Sequence, residues 1–256
     1  MHFLISQLLA QIYYEYLLRS GRPKDAFYRA SLPLTALAGL LSIVILLPSW
    51  RRDVSRRRAT GIIPRERASL SASRSFLLFF MGSGLAYYAN VLLALLRPLL
   101  PDSSYFSQMD LITQGKAFLF LILLVGILSP IAEEVVFRQI LFLRLRDRHG
   151  LLFSVAISSL LFGLYHGNLY QAIYASLMGA FFALALEYTG NLMGSILLHV
   201  GANCFSLALS QFPYQLLLPP LETYFLVGTI LLAILTIQGF KTLSQEHAAR
   251  GGKRLI

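Results

Sequence analysis

Residues 129–148 place Glu133, Glu134 and Arg138 within six positions of one another, after a stretch, 117–130, that holds no charge at all. A charged side chain near the middle of a bilayer costs about 2.5–3.5 kcal/mol on insertion scales. Three such groups in an apolar run therefore need partners and a reason. The rest of the chain has to be a fold that can surround them.

The composition says what kind of fold that is. Hydrophobic residues make up 56% of the 256 and charged residues only 13%, where a water-soluble domain carries about 25% charged. Eight apolar segments can be drawn, at 3–18, 32–47, 75–96, 116–145, 151–166, 170–186, 191–210 and 223–237. A spanning helix needs roughly 17–25 residues. The expected fold is all-α: a polytopic helix bundle of about eight transmembrane helices in one domain over 1–256. The first segment, broken by Gln7, Gln11 and Glu15, either spans or lies in the interface. The second is expected to close at Pro48 and Trp50, with an Arg/Ser-rich linker from 51 to 75. The fourth is too long for one straight span, and Pro130, which lacks an N–H, is expected to kink it.

The net charge of +10 reads as the positive-inside bias of a membrane protein. No soluble face pairs bases with aromatics, so a nucleic-acid partner is not expected. The segment 49–74 holds eight arginines, the loop after the fourth segment holds Arg144, Arg146 and Arg148, and the tail holds Lys241, Arg250, Lys253 and Arg254. With eight spans these share one side with both termini, which the rule makes cytoplasmic. Arg19, Arg22, Lys24 and Arg29 fall on the other side and are outvoted. The single cysteine, Cys204, excludes a disulfide framework and reads as a small buried hydrophobe.

Three groups of polar residues lie deep in apolar segments. Glu134 and Arg138 are four apart and share a helix face, so Arg138 can hold Glu134 ionised. Glu133 is then left with a separate role, and one carboxyl of an adjacent pair in low dielectric is expected to resist ionisation, as a general acid or base requires. His166 follows Phe162 by one turn. His199 and Asn203 again share a face. Counted at 1.5 Å per residue from the arginine-bearing side, these groups reach overlapping depths, so an acid/base site lined by protein is expected. Asn168, Gln171, Glu187 and Asn191 read as interfacial caps.

At these residues the chain resembles the CPBP family, the CAAX proteases and bacteriocin-processing (Abi-type) membrane proteins. Its pattern is Glu-Glu-x-x-x-Arg, Phe-x-x-x-His and His-x-x-x-Asn on three helices. Here these are Glu133-Glu134-Val-Val-Phe-Arg138, Phe162-Gly-Leu-Tyr-His166 and His199-Val-Gly-Ala-Asn203. The resemblance covers about 115–210, which would be the catalytic core. It implies an endopeptidase in the cell membrane, reached from the cytoplasm, that cuts a membrane-associated peptide or protein. Glu133 would activate water with His166 beside it, Glu134 and Arg138 would brace the site, and His199 and Asn203 would polarise the scissile carbonyl. In the family's metal-dependent version, zinc or another divalent ion would sit on Glu133, His166 and His199. Two other functions fit the same residues: a proton-coupled transporter or channel relaying through the Glu/His cluster, and an inactive immunity or binding member of the family. The sequence leaves substrate and oligomeric state open.

Overall fold

The computed structural model describes residues 2–22, 25–62, 69–96, 110–211 and 221–249. They form an all-α bundle with eight helices of fifteen residues or more: α1 (His2–Arg19), α2 (Asp25–Ala59), α3 (Ala72–Leu96), α4 (Phe118–Arg146), α5 (Leu151–Tyr165), α6 (Leu169–Thr189), α7 (Leu192–Gln211) and α8 (Leu221–Ala249). Among the described residues α2, α3, α4, α6 and α7 are long and apolar enough to cross a membrane. This is a multi-pass membrane protein. The connecting segments 97–109 and 212–220 lie outside the described residues.

Helix α4 is the centre. It touches α2, α5, α6 and α7, while α1 packs mainly along α2 and turns Leu4, Leu8, Ile12 and Leu18 outward. Helix α4 runs unbroken past Pro130, but it widens to π geometry over Ile122–Leu128 and again over Val135–Phe142. In the first wide stretch the Ser129 N–H reaches back five residues to the Leu124 carbonyl. The next bond in that register would come from Pro130, which has no N–H. The Val125 carbonyl left over accepts instead from Asn203 Nδ2 at 3.0 Å, and the Gly126 carbonyl from Cys204 Sγ at 3.8 Å. Pro130 thus opens a seam that α7 closes. Cys204 is half-buried and serves as a weak donor, not as the plain buried hydrophobe expected.

Helix α2 departs most from expectation. It runs through Pro48 to Ala59, so 51–59 is helix and not linker. The arginine-rich end is held by α4: Arg144 Nε lies 2.7 Å from Asp53, and Arg56 and Arg57 both reach Asp147. Arg146 pairs with Glu187 near the end of α6 at 2.8 Å, and Arg74 at the start of α3 pairs with Glu246 of α8 at 2.9 Å. The ends of α2, α4, α6 and α8 and the start of α3 therefore lie on one face, with the arginines. Glu187 is a salt-bridge partner there and not a cap. Asn168 does cap α6, accepting from the Gln171 N–H at 2.8 Å.

Helices α3 and α7 approach most closely. Gly82 faces the Leu198 carbonyl and Gly201 faces the Phe79 carbonyl, and a Cβ at either would overlap that oxygen. Small residues at such crossings let backbones meet where lipid offers no hydrophobic drive. Ser83 Oγ donates to the Gly201 carbonyl at 3.2 Å across the seam. Since Gly201 lies between His199 and Asn203, α3 sets the position of both. Gly201→Val should therefore push α7 off α3 and cost about 1–3 kcal/mol or more as an overpacked contact. The expected result is a lowered unfolding midpoint in detergent, checked by circular dichroism during an SDS or thermal titration.

Candidate active site

The site begins with one buried ion pair. Glu134 and Arg138 are both fully buried, one turn apart on α4, with Arg138 Nε 3.3 Å from Glu134 Oε2. A charge pair in low dielectric must find further partners to be tolerable. Arg138 Nη2 donates to the Gly179 carbonyl of α6 at 3.2 Å. Its guanidinium lies over Phe162 at 4.3 Å and near Phe182 at 5.3 Å, a cation–π arrangement worth up to about 2 kcal/mol when desolvated. Gly179 is small because a Cβ there would stand 3.1 Å from both Arg138 Nη2 and the Phe162 ring.

Glu134 has both oxygens in use. Oε1 is 2.8 Å from His199 Nδ1, and Oε2 takes Arg138 and the Ser195 hydroxyl, which also stands 2.8 Å from the Phe182 carbonyl. A carboxylate only accepts, so His199 Nδ1 carries a hydrogen and Nε2 is the nitrogen left for other work. That Nε2 lies 3.7 Å from Glu133 Oε2. The imidazole is held flat against Phe182, at 4.2 Å and 21°.

Glu133 is treated differently. Its Oε1 accepts from Ser129 Oγ at 2.8 Å, four residues earlier. Its Oε2 faces His199 at a distance too long for a hydrogen bond. One oxygen is fixed and the other keeps open acceptor capacity.

Helix α5 is short, about 22 Å at 1.5 Å per residue, so its end falls at depth inside the bundle. The end is capped locally. The His166 N–H returns to the Gly163 carbonyl, Gly167 at φ 74° turns the chain, and its N–H returns to the Leu164 carbonyl. His166 Nδ1 lies 2.9 Å from the Phe162 carbonyl. A carbonyl cannot donate, so the neutral ring keeps its hydrogen on Nδ1 and its lone pair on Nε2. Phe162 joins the two histidines: its ring meets His166 at 5.0 Å and His199 at 5.7 Å. It is a packing hub, as its place one turn before His166 suggests.

The structure thus brings Glu133, Glu134, Arg138 and His199 into direct contact, sets His166 against the same phenylalanine, and ties Asn203 to the α4 backbone. Ser129 and Ser195 join the site without having been singled out by sequence reasoning. Each stands four residues before a named site residue, Glu133 and His199, and that spacing is the signal that would have found them. As for a metal, the residue types Glu133, His166 and His199 suit zinc, but among the described residues no three His, Cys, Asp or Glu side chains are gathered closely enough to share an ion.

Fold and site together define a polytopic helical membrane protein with a carboxylate–imidazole centre buried among its helices. Residues 115–205 match the family model described as type II CAAX prenyl endopeptidase Rce1-like. A curated relative, "Putative membrane peptidase YdiL" of Bacillus subtilis (strain 168), is 30% identical over 100 residues, which is 39% of this chain and 41% of the relative. The match therefore spans about two fifths of that relative's length. No solved structure matches significantly. The likeness is confined to this core, residues 115–205, which carries Glu133, Glu134, Arg138, His166, His199 and Asn203.

Removing Arg138 leaves Glu134 buried without its counter-charge. Arg138→Met should cost about 3–5 kcal/mol, more than Glu187→Gln at the Arg146 pair, whose arginine is 17% exposed. Comparative SDS unfolding of the two variants checks the order.

Proposed function

We propose that the protein is an intramembrane endopeptidase whose catalytic base is Glu133. The observation that carries this reading is the unequal use of the two carboxylates. Glu134 is saturated by Arg138, Ser195 and His199, whereas Glu133 keeps one oxygen open beside His199 Nε2.

In the proposed reaction Glu133 Oε2 takes a proton from water as the water oxygen attacks the scissile carbonyl carbon. The carbonyl oxygen gains the negative charge of a tetrahedral intermediate. The C=O bond re-forms as the C–N bond breaks, the proton held by Glu133 goes to the leaving nitrogen, and a carboxylic acid and an amine remain. General base catalysis of this kind contributes about 10²–10⁴-fold. His199, held by Glu134, presents Nε2 to the reacting group. Asn203 lies one turn further on the same face of α7 and spends one amide hydrogen on Val125. The other amide hydrogen is its remaining donor for the oxyanion. His166, with its lone pair fixed on Nε2, is the second group able to receive or return a proton. Oriented donors in a water-poor site are worth far more than in bulk.

If a divalent ion takes part, Glu133, His166 and His199 would hold it, and it would polarise the carbonyl or the water. The side chains do not gather around one ion in this arrangement, so no step above is routed through a metal. We place the arginine-bearing face in the cytoplasm, on the positive-inside rule, and take the substrate to be a peptide or protein at the membrane. The name of the matching family points to a prenylated C-terminus as the first substrate to try.

Purified wild type should cleave members of a library of prenylated C-terminal and membrane-proximal peptides, read by mass spectrometry. Glu133→Gln should lose at least about a hundredfold in rate while keeping the wild-type unfolding midpoint. Retained cleavage in that variant would remove Glu133 from the chemistry. Ser129→Ala removes one hydrogen bond to a charged group, worth about 1.5–3 kcal/mol, and should slow turnover by one to two orders of magnitude with substrate affinity little changed. A wild-type rate in Ser129→Ala would show that the Oε1 contact does not orient the base.

A further inference from the structure

Two arginines share one carboxylate where α2 and α4 reach the arginine-bearing face. Arg56 Nη2 and Arg57 Nε both reach Asp147 Oδ2, at 2.7 and 3.0 Å. A guanidinium is always charged, so among the described residues this trio carries one positive charge in excess. The excess is partly buried. The Arg57 side chain is 1% exposed, and its Nη1 and Nη2 have no hydrogen-bond partner. Buried donors left unmet and a charge left uncompensated are both costly, and such groups call for an explanation. Arg56 in contrast is 49% exposed and reachable. The trio also sits at a defined level. Asp147 lies just past Leu145, the last apolar residue of α4, and so stands where the hydrocarbon gives way to headgroups.

We propose that Arg56 and Arg57 form a binding site for the phosphate of an anionic phospholipid in the leaflet on this face. The phosphate takes the accessible Arg56, which turns from Asp147 towards it. Asp147 then keeps Arg57, and the negative charge of the phosphate cancels the excess positive charge of the trio. Arginine suits this because its planar fork matches phosphate oxygens two at a time. Arg51, Arg52 and Arg58 are exposed on the same helix end. They raise the local concentration of anionic lipid but do not build the site. The inference stands on these residues alone and holds whether or not the protein is a protease.

The test uses the full chain in detergent, with native mass spectrometry and thermal unfolding in the presence of phosphatidylglycerol, phosphatidylcholine or inorganic phosphate. Wild type should retain one phosphatidylglycerol and melt higher with it. Arg58→Gln, which removes the same charge from an exposed neighbour, should keep both properties. Arg56→Gln, which leaves a balanced Arg57–Asp147 pair and so should fold normally, should bind that lipid about tenfold more weakly or worse. Arg57→Gln should show the same loss. If Arg58→Gln loses as much as Arg56→Gln, the attraction is that of a diffuse basic surface and the site is overturned. Equal retention of phosphatidylcholine overturns the requirement for an anionic lipid. An equal rise in melting temperature with inorganic phosphate alone assigns the site to a free anion and overturns the lipid. Unchanged binding in Arg56→Gln overturns the role of that residue.

Discussion

The arrangement depends on keeping Arg138 charged inside a helix bundle. A guanidinium cannot escape the cost of burial by losing its proton, so the surroundings have to answer it. Glu134 supplies the counter-charge, Gly179 a carbonyl, and Phe162 and Phe182 their ring faces. Those four answers come from α4, α5 and α6, so meeting the needs of one side chain fixes three helices. Once Glu134 is fixed by Arg138, it can in turn fix His199 on α7. The ion pair adds little net stability for its burial. Its consequence is positional: it leaves the imidazole one tautomer and one direction.

A second constraint comes from the α4 backbone. Pro130 deletes one donor, and inside a membrane an abandoned carbonyl must find another. The wide turns before and after the 129–134 segment place two carbonyls, Val125 and Gly126, where Asn203 and Cys204 can reach them. Asn203 is thus bound to the helix that carries Glu133, and His199 one turn before it is bound to Glu134. Helix α7 is fastened to α4 at two heights. From behind, α3 presses on it through Gly82 and Gly201. A helix with no site residue of its own thereby decides where two of them stand.

Much of this is legible in the sequence, and the residues that are not share a cause. Spacing of four identifies a shared helix face, so Glu134 with Arg138 and His199 with Asn203 pair on spacing alone. Spacing does not say which neighbouring helix that face meets. Hence the four-residue step from Ser195 to His199 puts both on one face of α7 but does not say that Glu134 of α4 lies against that face, and nothing connects Asn203 with Val125. Helix ends mislead for a similar reason. Pro48 and the arginines after it argue locally for termination, but Asp53, Arg56 and Arg57 find Arg144 and Asp147 on α4, and those tertiary contacts carry the helix on to Ala59. Glu187 looks like a cap in the sequence because its partner, Arg146, is forty-one residues away.

The division between the two glutamates follows from helix geometry combined with saturation. Neighbouring residues on a helix point about 100° apart, so Glu133 and Glu134 cannot share one set of partners. The one that faces Arg138 acquires acceptor contacts on both oxygens and becomes a fixed part of the frame. The one beside it is held by a single serine hydroxyl on one oxygen, and its other oxygen looks at an imidazole nitrogen across 3.7 Å. That gap is too wide for a direct bond, and a water set to one side of it could donate to the carboxylate and meet the imidazole together. Chemistry needs an acceptor that is oriented but not yet occupied, and Glu133 meets both conditions while Glu134 meets only the first.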